Sequence, residues 1–121
     1  MKSCFSGLDV WKEAFEFTLE VYRVSSEFPN EEKYALASQL RRAASSVPAN
    51  IAEGRGRGSN KEFIRFLYIA RGSLEEAKSH LLLAKALGYL AESNISCLEQ
   101  RSEKLGAMLN NLTESLQRKV V

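Results

Sequence analysis

Phe63, Leu67, Ala70, Leu74, Ala77, Leu81 and Ala84 follow one another at alternating spacings of four and three. That is the repeat of a helix burying one seam along its length; a strand cannot satisfy it, because its successive side chains face opposite ways. Ser59 with Glu62 three residues later is a capping-box start, and Gly88 is a helix stop, so the pattern predicts one helix from Asn60 to about Leu87. Ile64, Phe66, Ile69, Leu82, Leu83 and Leu87 lie well outside its seam, and Gly72 sits in its middle, where a tight helix crossing would explain it.

The rest of the chain has the same period. Ile95, Leu98, Ser102, Leu105, Leu109, Leu112 and Leu116 keep heptad register, predicting a helix from Ser93 or Asn94 onward. A first helix is expected from about Asp9, a plausible N-cap, to Glu27. Val10, Trp11, Ala14, Phe15, Phe17, Val21, Tyr22 and Val24 cover one half of its cylinder, more than one neighbour can bury. Pro29 interrupts this helix and Asn30 can cap the next, which is expected from near Glu31. Leu36, Leu40, Ala43, Ala44, Val47 and Ile51 stay in phase across Pro48, which predicts one second helix kinked there. The freed carbonyl of Ala44 would be served by Ser45, Ser46 or water, and Asn50, on the apolar side, needs partners at the kink or on a neighbouring helix. Gly54 suits the left-handed position just past that helix.

No strand pattern interrupts these four segments, and the connections are short, so neighbours should be antiparallel. The expectation is an all-α fold, an antiparallel up-down-up-down four-helix bundle, with the 121 residues forming one domain. The surplus apolar surface on the first and third helices predicts a homo-oligomer.

The charge is uneven. The net charge is only +2, but residues 41 to 71 hold seven basic side chains against Glu53 and Glu62, whereas residues 1 to 40 are acidic and 72 to 121 balance. The stretch "EGRGRGSNK" lacks the spacing and the preceding strand of a phosphate-binding P-loop. It reads either as a flexible connection with solvated arginines or as a cationic loop at a helix N-terminus, where phosphate is favoured. Arg71, Lys78 and Lys85 form a basic row that reads equally well as a solvated edge.

Catalytic chemistry finds little support. His80 is the sole histidine, with Glu76 four residues before it and no companion ligand, so neither a metal site nor a cofactor is expected. Glu75 and Glu76 are expected to pair along the helix surface. Cys4 and Cys97 match no metal or redox spacing and read as free thiols in a reducing cytoplasm. No apolar run reaches the ~18 residues of a membrane span, and no secretory signal opens the chain.

Residues 36 to 90, above all "QLRRAASSVPANIAEG" followed by "FIRFLYIARGSLEEA", closely resemble the bacterial four-helix-bundle proteins also described as intervening-sequence proteins of large-subunit ribosomal RNA. The opening "LDVWKEAFEFTLEVY" and closing "LGAMLNNLTESL" extend the likeness over nearly the whole chain. The resemblance implies a ring-like homopentamer, no enzymatic activity and RNA as the suggested partner. It also implies a likeness in fold to the accessory proteins of diversity-generating retroelements, which partner a reverse transcriptase but generally lack "SVPANIAEG". The motif positions here are Gln39, Arg41, Arg42, Ser46, Pro48, Asn50, Glu53, Gly54, Arg57, Arg71, Gly72, Ser73 and Glu76. Pro48, Asn50, Gly54 and Gly72 have structural readings, and Arg42 and Glu53 are expected to pair with other helices or subunits. Arg41, Arg55, Arg57, Lys61 and Arg65 have none, and are the residues expected to contact RNA or DNA. The alternative is a protein-interaction scaffold or accessory subunit for a nucleic-acid enzyme such as a reverse transcriptase.

Overall fold

A computed structural model describes residues 5–120. Cys4 lies outside them; Cys97 is a free, half-buried thiol. The described chain is four helices and no strand: α1 (Asp9–Ser25), α2 (Leu36–Gly56), α3 (Asn60–Ala86) and α4 (Glu92–Gln117), with a 3-10 turn at Asn30–Glu32. Each helix packs on its sequence neighbours, and α4 closes on α1, while the backbones of the diagonal pairs stay more than 8 Å apart between Cα atoms. As residue numbers rise along one partner they fall along the other, the order expected of antiparallel neighbours. On α1 and α4, Glu13 meets Arg101 and Lys104, and Arg23 meets Asn94. On α2 and α3, Ser46 meets Ser73, and Gly54 meets Phe66.

The periodic residues form the core. All seven of the α3 seam are buried, as are Leu36, Leu40, Ala43, Ala44, Val47 and Ile51 of α2 and all of the α4 set except the half-buried Leu112. On α1 the split is sharper. Val10, Ala14, Phe17, Val21 and Val24 are buried, but Phe15 and Tyr22 are exposed and Trp11 is half-buried. The predicted surplus of apolar surface on α1 is present.

Several local expectations are corrected. Asp9 is the first residue inside α1 and Leu8 takes the N-cap position without a side-chain hydrogen bond. Asn30 opens the 3-10 turn, again without a side-chain cap, and α2 begins only at Leu36. Gly54 does not stop α2, which runs on to Gly56; the left-handed residue is Gly58, at φ 83°. What Gly54 provides is room: a Cβ there would stand 2.6 Å from Phe66 Cβ. Gly72, expected at a tight crossing, has open space where its Cβ would be. The close approach expected at Gly72 is therefore found at Gly54, and the helix-end role expected of Gly54 falls to Gly58.

The helix ends on α3 follow their signals. Ser59 Oγ accepts from the Glu62 N–H at 3.2 Å. Gly88, at φ 78°, completes a Schellman cap in which its N–H donates to Lys85 O and the Tyr89 N–H to Ala84 O.

Pro48 is buried inside α2, which is continuous on both sides of it. Proline offers no N–H to the carbonyl four residues back. Neither Ser45 nor Ser46 takes up that carbonyl. Thr18, from α1, donates its hydroxyl to Ala44 O at 3.1 Å and also to Ala14 O at 2.8 Å. Asn50 finds its partners locally, its Nδ2 donating to Ser46 O at 2.8 Å and Ser46 Oγ at 2.9 Å. Ser73 donates to that same Ser46 hydroxyl at 2.9 Å, so one polar chain links α2 to α3.

Candidate nucleic-acid interface

The close approach of α2 and α3 at Gly54 builds the region where the basic residues gather. It brings Phe66 hard against α2, buries it, and leaves a turn of Arg57, Gly58 and Ser59 between the helices. Arg57 and Arg65 both stand over the Phe66 ring, their guanidinium carbons 4.9 and 4.5 Å from its centroid. A cation over an aromatic face gains roughly 0.5–1 kcal/mol at an exposed site, enough to bias where each guanidinium rests. Arg55 and Lys61 are exposed and have no ion-pair partner among the described residues.

Two carboxylates temper this charge. Glu53 pairs with Arg57 at 2.9 Å and Glu62 with Arg65 at 3.1 Å. The hydrogen bonds from Arg65 hold the Glu62 carboxyl below its ordinary value; desolvation opposes this, and the charges of Arg65, Arg57 and Lys61 add to it. The same bond keeps Arg65 above its ordinary value. Exposed pairs of this kind are screened by water and contribute little, so a phosphate can displace either carboxylate at little cost. The N-terminus of α3 opens onto the same turn. Ser59 satisfies the Glu62 N–H and its carbonyl accepts from Phe63, while the Asn60 and Lys61 N–H groups have no acceptor among the described residues.

Arg41 lies apart from this group. It is about 21 Å from Arg55 along α2 at the usual helical rise. It also has structural work: Nε donates to Ser25 Oγ at 2.7 Å, a terminal nitrogen reaches Tyr22 O at 3.4 Å, and the guanidinium lies 4.9 Å from the Tyr22 ring centroid. It thus serves the carbonyl end of α1, where a cation is favoured.

Other expected groupings resolve differently. Glu53, expected to reach another helix or subunit, pairs with Arg57 in the turn that follows α2, and Arg42 is exposed with no ion pair among the described residues. The row of Arg71, Lys78 and Lys85 is split. Arg71 lies over Tyr68, and the lysines pair with Glu75, Glu103 and Glu99. His80 meets Glu76 at 3.4 Å, and no group of three potential metal ligands occurs among the described residues. No helix there is long and apolar enough to cross a membrane. Phe66 is the site residue that pattern reading treated only as surplus apolar surface. The adjacent Arg65 was a signal, but its packing on Gly54 was not.

A four-helix bundle with polar links across the α2–α3 interface and a cationic turn at one end is a class with relatives. The chain belongs to the 23S rRNA-intervening sequence protein family, whose sequence model matches residues 6–111. A crystal structure from Bacteroides thetaiotaomicron, of a protein with unknown function from the S23 ribosomal protein family, is similar in fold. Its TM-score is 0.79 at 24% identity, covering 86% of this chain and 97% of that one. None of the curated proteins matches the sequence.

Proposed function

We propose that this chain is a non-catalytic, homo-oligomeric bundle protein of the cytoplasm that binds the phosphate backbone of RNA, or of DNA, at the α2–α3 turn. The observation that carries the reading is the grouping of Arg55, Arg57, Lys61 and Arg65 beside the open N-terminus of α3, two of them set over one aromatic ring. Side chains so placed offer charge and hydrogen bonds to phosphate oxygens but no element that enters a groove, so recognition is tolerant of sequence. Arg41 falls outside this site because of its distance and its bonds to α1. The family's name, which refers to ribosomal RNA, supports RNA as the first ligand to try. Oligomerisation is supported by the exposed apolar side chains of α1 and α3, and a weak patch repeated around an assembly gains strongly through multivalency.

The same exposed apolar surfaces favour a second reading, a scaffold or accessory subunit for a nucleic-acid enzyme such as a reverse transcriptase. Filter binding of structured RNA and duplex DNA separates the two. Binding at low salt that collapses in an Arg55→Ala/Arg57→Ala variant supports the first; absence of binding at low salt leaves the second.

A further inference from the structure

Gly72 and Gly106 stand inside long helices, where glycine is less stable than alanine, and close packing accounts for neither. A Cβ at Gly72 would meet nothing within 4 Å, and one at Gly106 would touch only Leu74 Cδ2 at 3.7 Å, an ordinary contact. What the two missing side chains leave is space. Both line a hollow of about 380 Å³ between α3 and α4, a size within the range of small-molecule sites.

The other walls are mostly polar. Leu74 is buried and lies beneath, and Tyr68, Arg71, Glu75 and Asn110 complete the lining. Tyr68 is 48% exposed, yet its hydroxyl accepts from Gln117 Nε2 of α4 at 2.7 Å, which fixes the ring. The Arg71 guanidinium carbon stands 5.3 Å from the centroid of that ring. Aromatic rings and guanidinium planes are the surfaces on which nucleobases stack. Glu75, paired with Lys78 at 3.2 Å, offers acceptors. The side-chain amide of Asn110 has no hydrogen-bond partner among the described residues, and it offers both donors and an acceptor. Arg71 and Glu75 balance in charge, so the hollow favours a neutral, flat, hydrogen-bonding group over a second phosphate.

Its position ties it to the turn. Lys61, Arg65, Tyr68, Gly72 and Glu75 follow one another at spacings of four and three, so they share one stripe of α3. The two cations of that stripe belong to the phosphate site. Gly72 lies about 10 Å beyond Arg65 at the usual helical rise. One strand can therefore rest its backbone on the cations and turn a base into the hollow.

Resting on the phosphate-binding reading above, we propose that the hollow between Tyr68, Gly72, Gly106 and Asn110 takes one unpaired base of the RNA held at Lys61 and Arg65. The base stacks on the Tyr68–Arg71 pair over Leu74, with its edge toward Asn110 and Glu75. Every base has a π face, so the preference is for unpaired over paired strand and not for a sequence. A base locked in a duplex cannot enter.

The test uses fluorescein-labelled RNA hairpins with a uridine loop in which 2-aminopurine replaces each loop base in turn. Polarisation reads binding, and 2-aminopurine emission, which stacking quenches, reads the base. The wild type is expected to bind at low salt and to quench the emission at a particular loop position. Gly72→Gln places a side chain in the hollow from a site where its Cβ meets no other atom. It is expected to bind about tenfold more weakly and to leave the emission unquenched, as is Tyr68→Ala, with circular dichroism verifying both folds. An abasic nucleotide at the quenched position is expected to weaken the wild type by the same factor and Gly72→Gln not at all. Binding by the wild type without quenching at any position, or quenching by Gly72→Gln equal to that of the wild type, overturns the base site and leaves the phosphate reading standing. A wild type that binds no hairpin at low salt overturns the phosphate reading and the base site with it, and so is distinguishable from either.

Discussion

Replacing Gly54 with alanine adds one methyl group inside α2. On an open helical face the change favours folding by about 1 kcal/mol, since glycine loses more backbone freedom than alanine. At Gly54 the new carbon would stand 2.6 Å from Phe66 Cβ and 3.1 Å from Phe63 Cδ1. Carbon atoms rest at about 3.5–4.0 Å, so the gap must widen by roughly 1 Å. Phe66 Cβ is the root of its side chain and no rotation moves it aside, so α3 itself must shift. Overpacking of this kind costs about 1–3 kcal/mol, and a displaced helix places it at the upper end. With the propensity gain set against it, the net destabilisation is about 2 kcal/mol. Gly72 is the internal control, because a Cβ there meets nothing within 4 Å. Gly72→Ala is expected to stabilise by about 1 kcal/mol, so the two identical chemical changes differ by about 3 kcal/mol in opposite directions. Urea unfolding followed by far-ultraviolet circular dichroism, at matched protein concentration, measures the difference. A Gly54→Ala protein as stable as Gly72→Ala would refute the close-crossing assignment.

Further outcomes follow from the same contacts. Thr18→Val removes the hydroxyl that serves the Ala44 carbonyl and should cost about 1–2 kcal/mol. In a Pro48→Ala background the restored N–H can serve that carbonyl, so a double-mutant cycle in urea should show the Thr18 cost reduced; equal costs in both backgrounds would break the link. Ser46→Ala removes the hydroxyl that accepts from both Asn50 and Ser73 and should destabilise by about 1 kcal/mol, measured in the same way. The Glu62 carboxyl should titrate below the usual glutamate range by NMR and return toward it in Arg65→Gln. Because its folded value is depressed, its contribution to stability is present at neutral pH and is lost as pH falls through that lowered value. A midpoint unchanged by Arg65→Gln would remove Arg65 as the cause.

The core was legible because its signal is periodic. Every residue of the α3 seam is buried, and the Ser59 and Gly88 signals mark the ends of that helix, since caps are local chemistry. The start of α2 was not legible. Asn30, Glu31 and Glu32 carry helix-start composition, yet they form only a 3-10 turn before Leu36, and nothing short-range distinguishes the two outcomes. The two motif glycines show the limit most plainly. Both sit within helices, and which one meets a neighbour depends on how α2 crosses α3, a property of neither helix alone. The candidate site divides in the same way. The focusing of positive charge is written in the sequence. The attachment of Arg41 to the end of α1, and of Arg57 and Arg65 to Phe66, arises only when distant segments pack.

Ultraviolet crosslinking of a thiouridine-substituted RNA hairpin to the wild-type protein, with the attachment sites read by mass spectrometry, tests the central proposal most directly. Attachments are expected between Glu53 and Phe66 and not around Arg41, and they should fade as salt is raised. Attachments confined to α1 or α4, or as abundant around Arg41 as at the turn, would contradict the account.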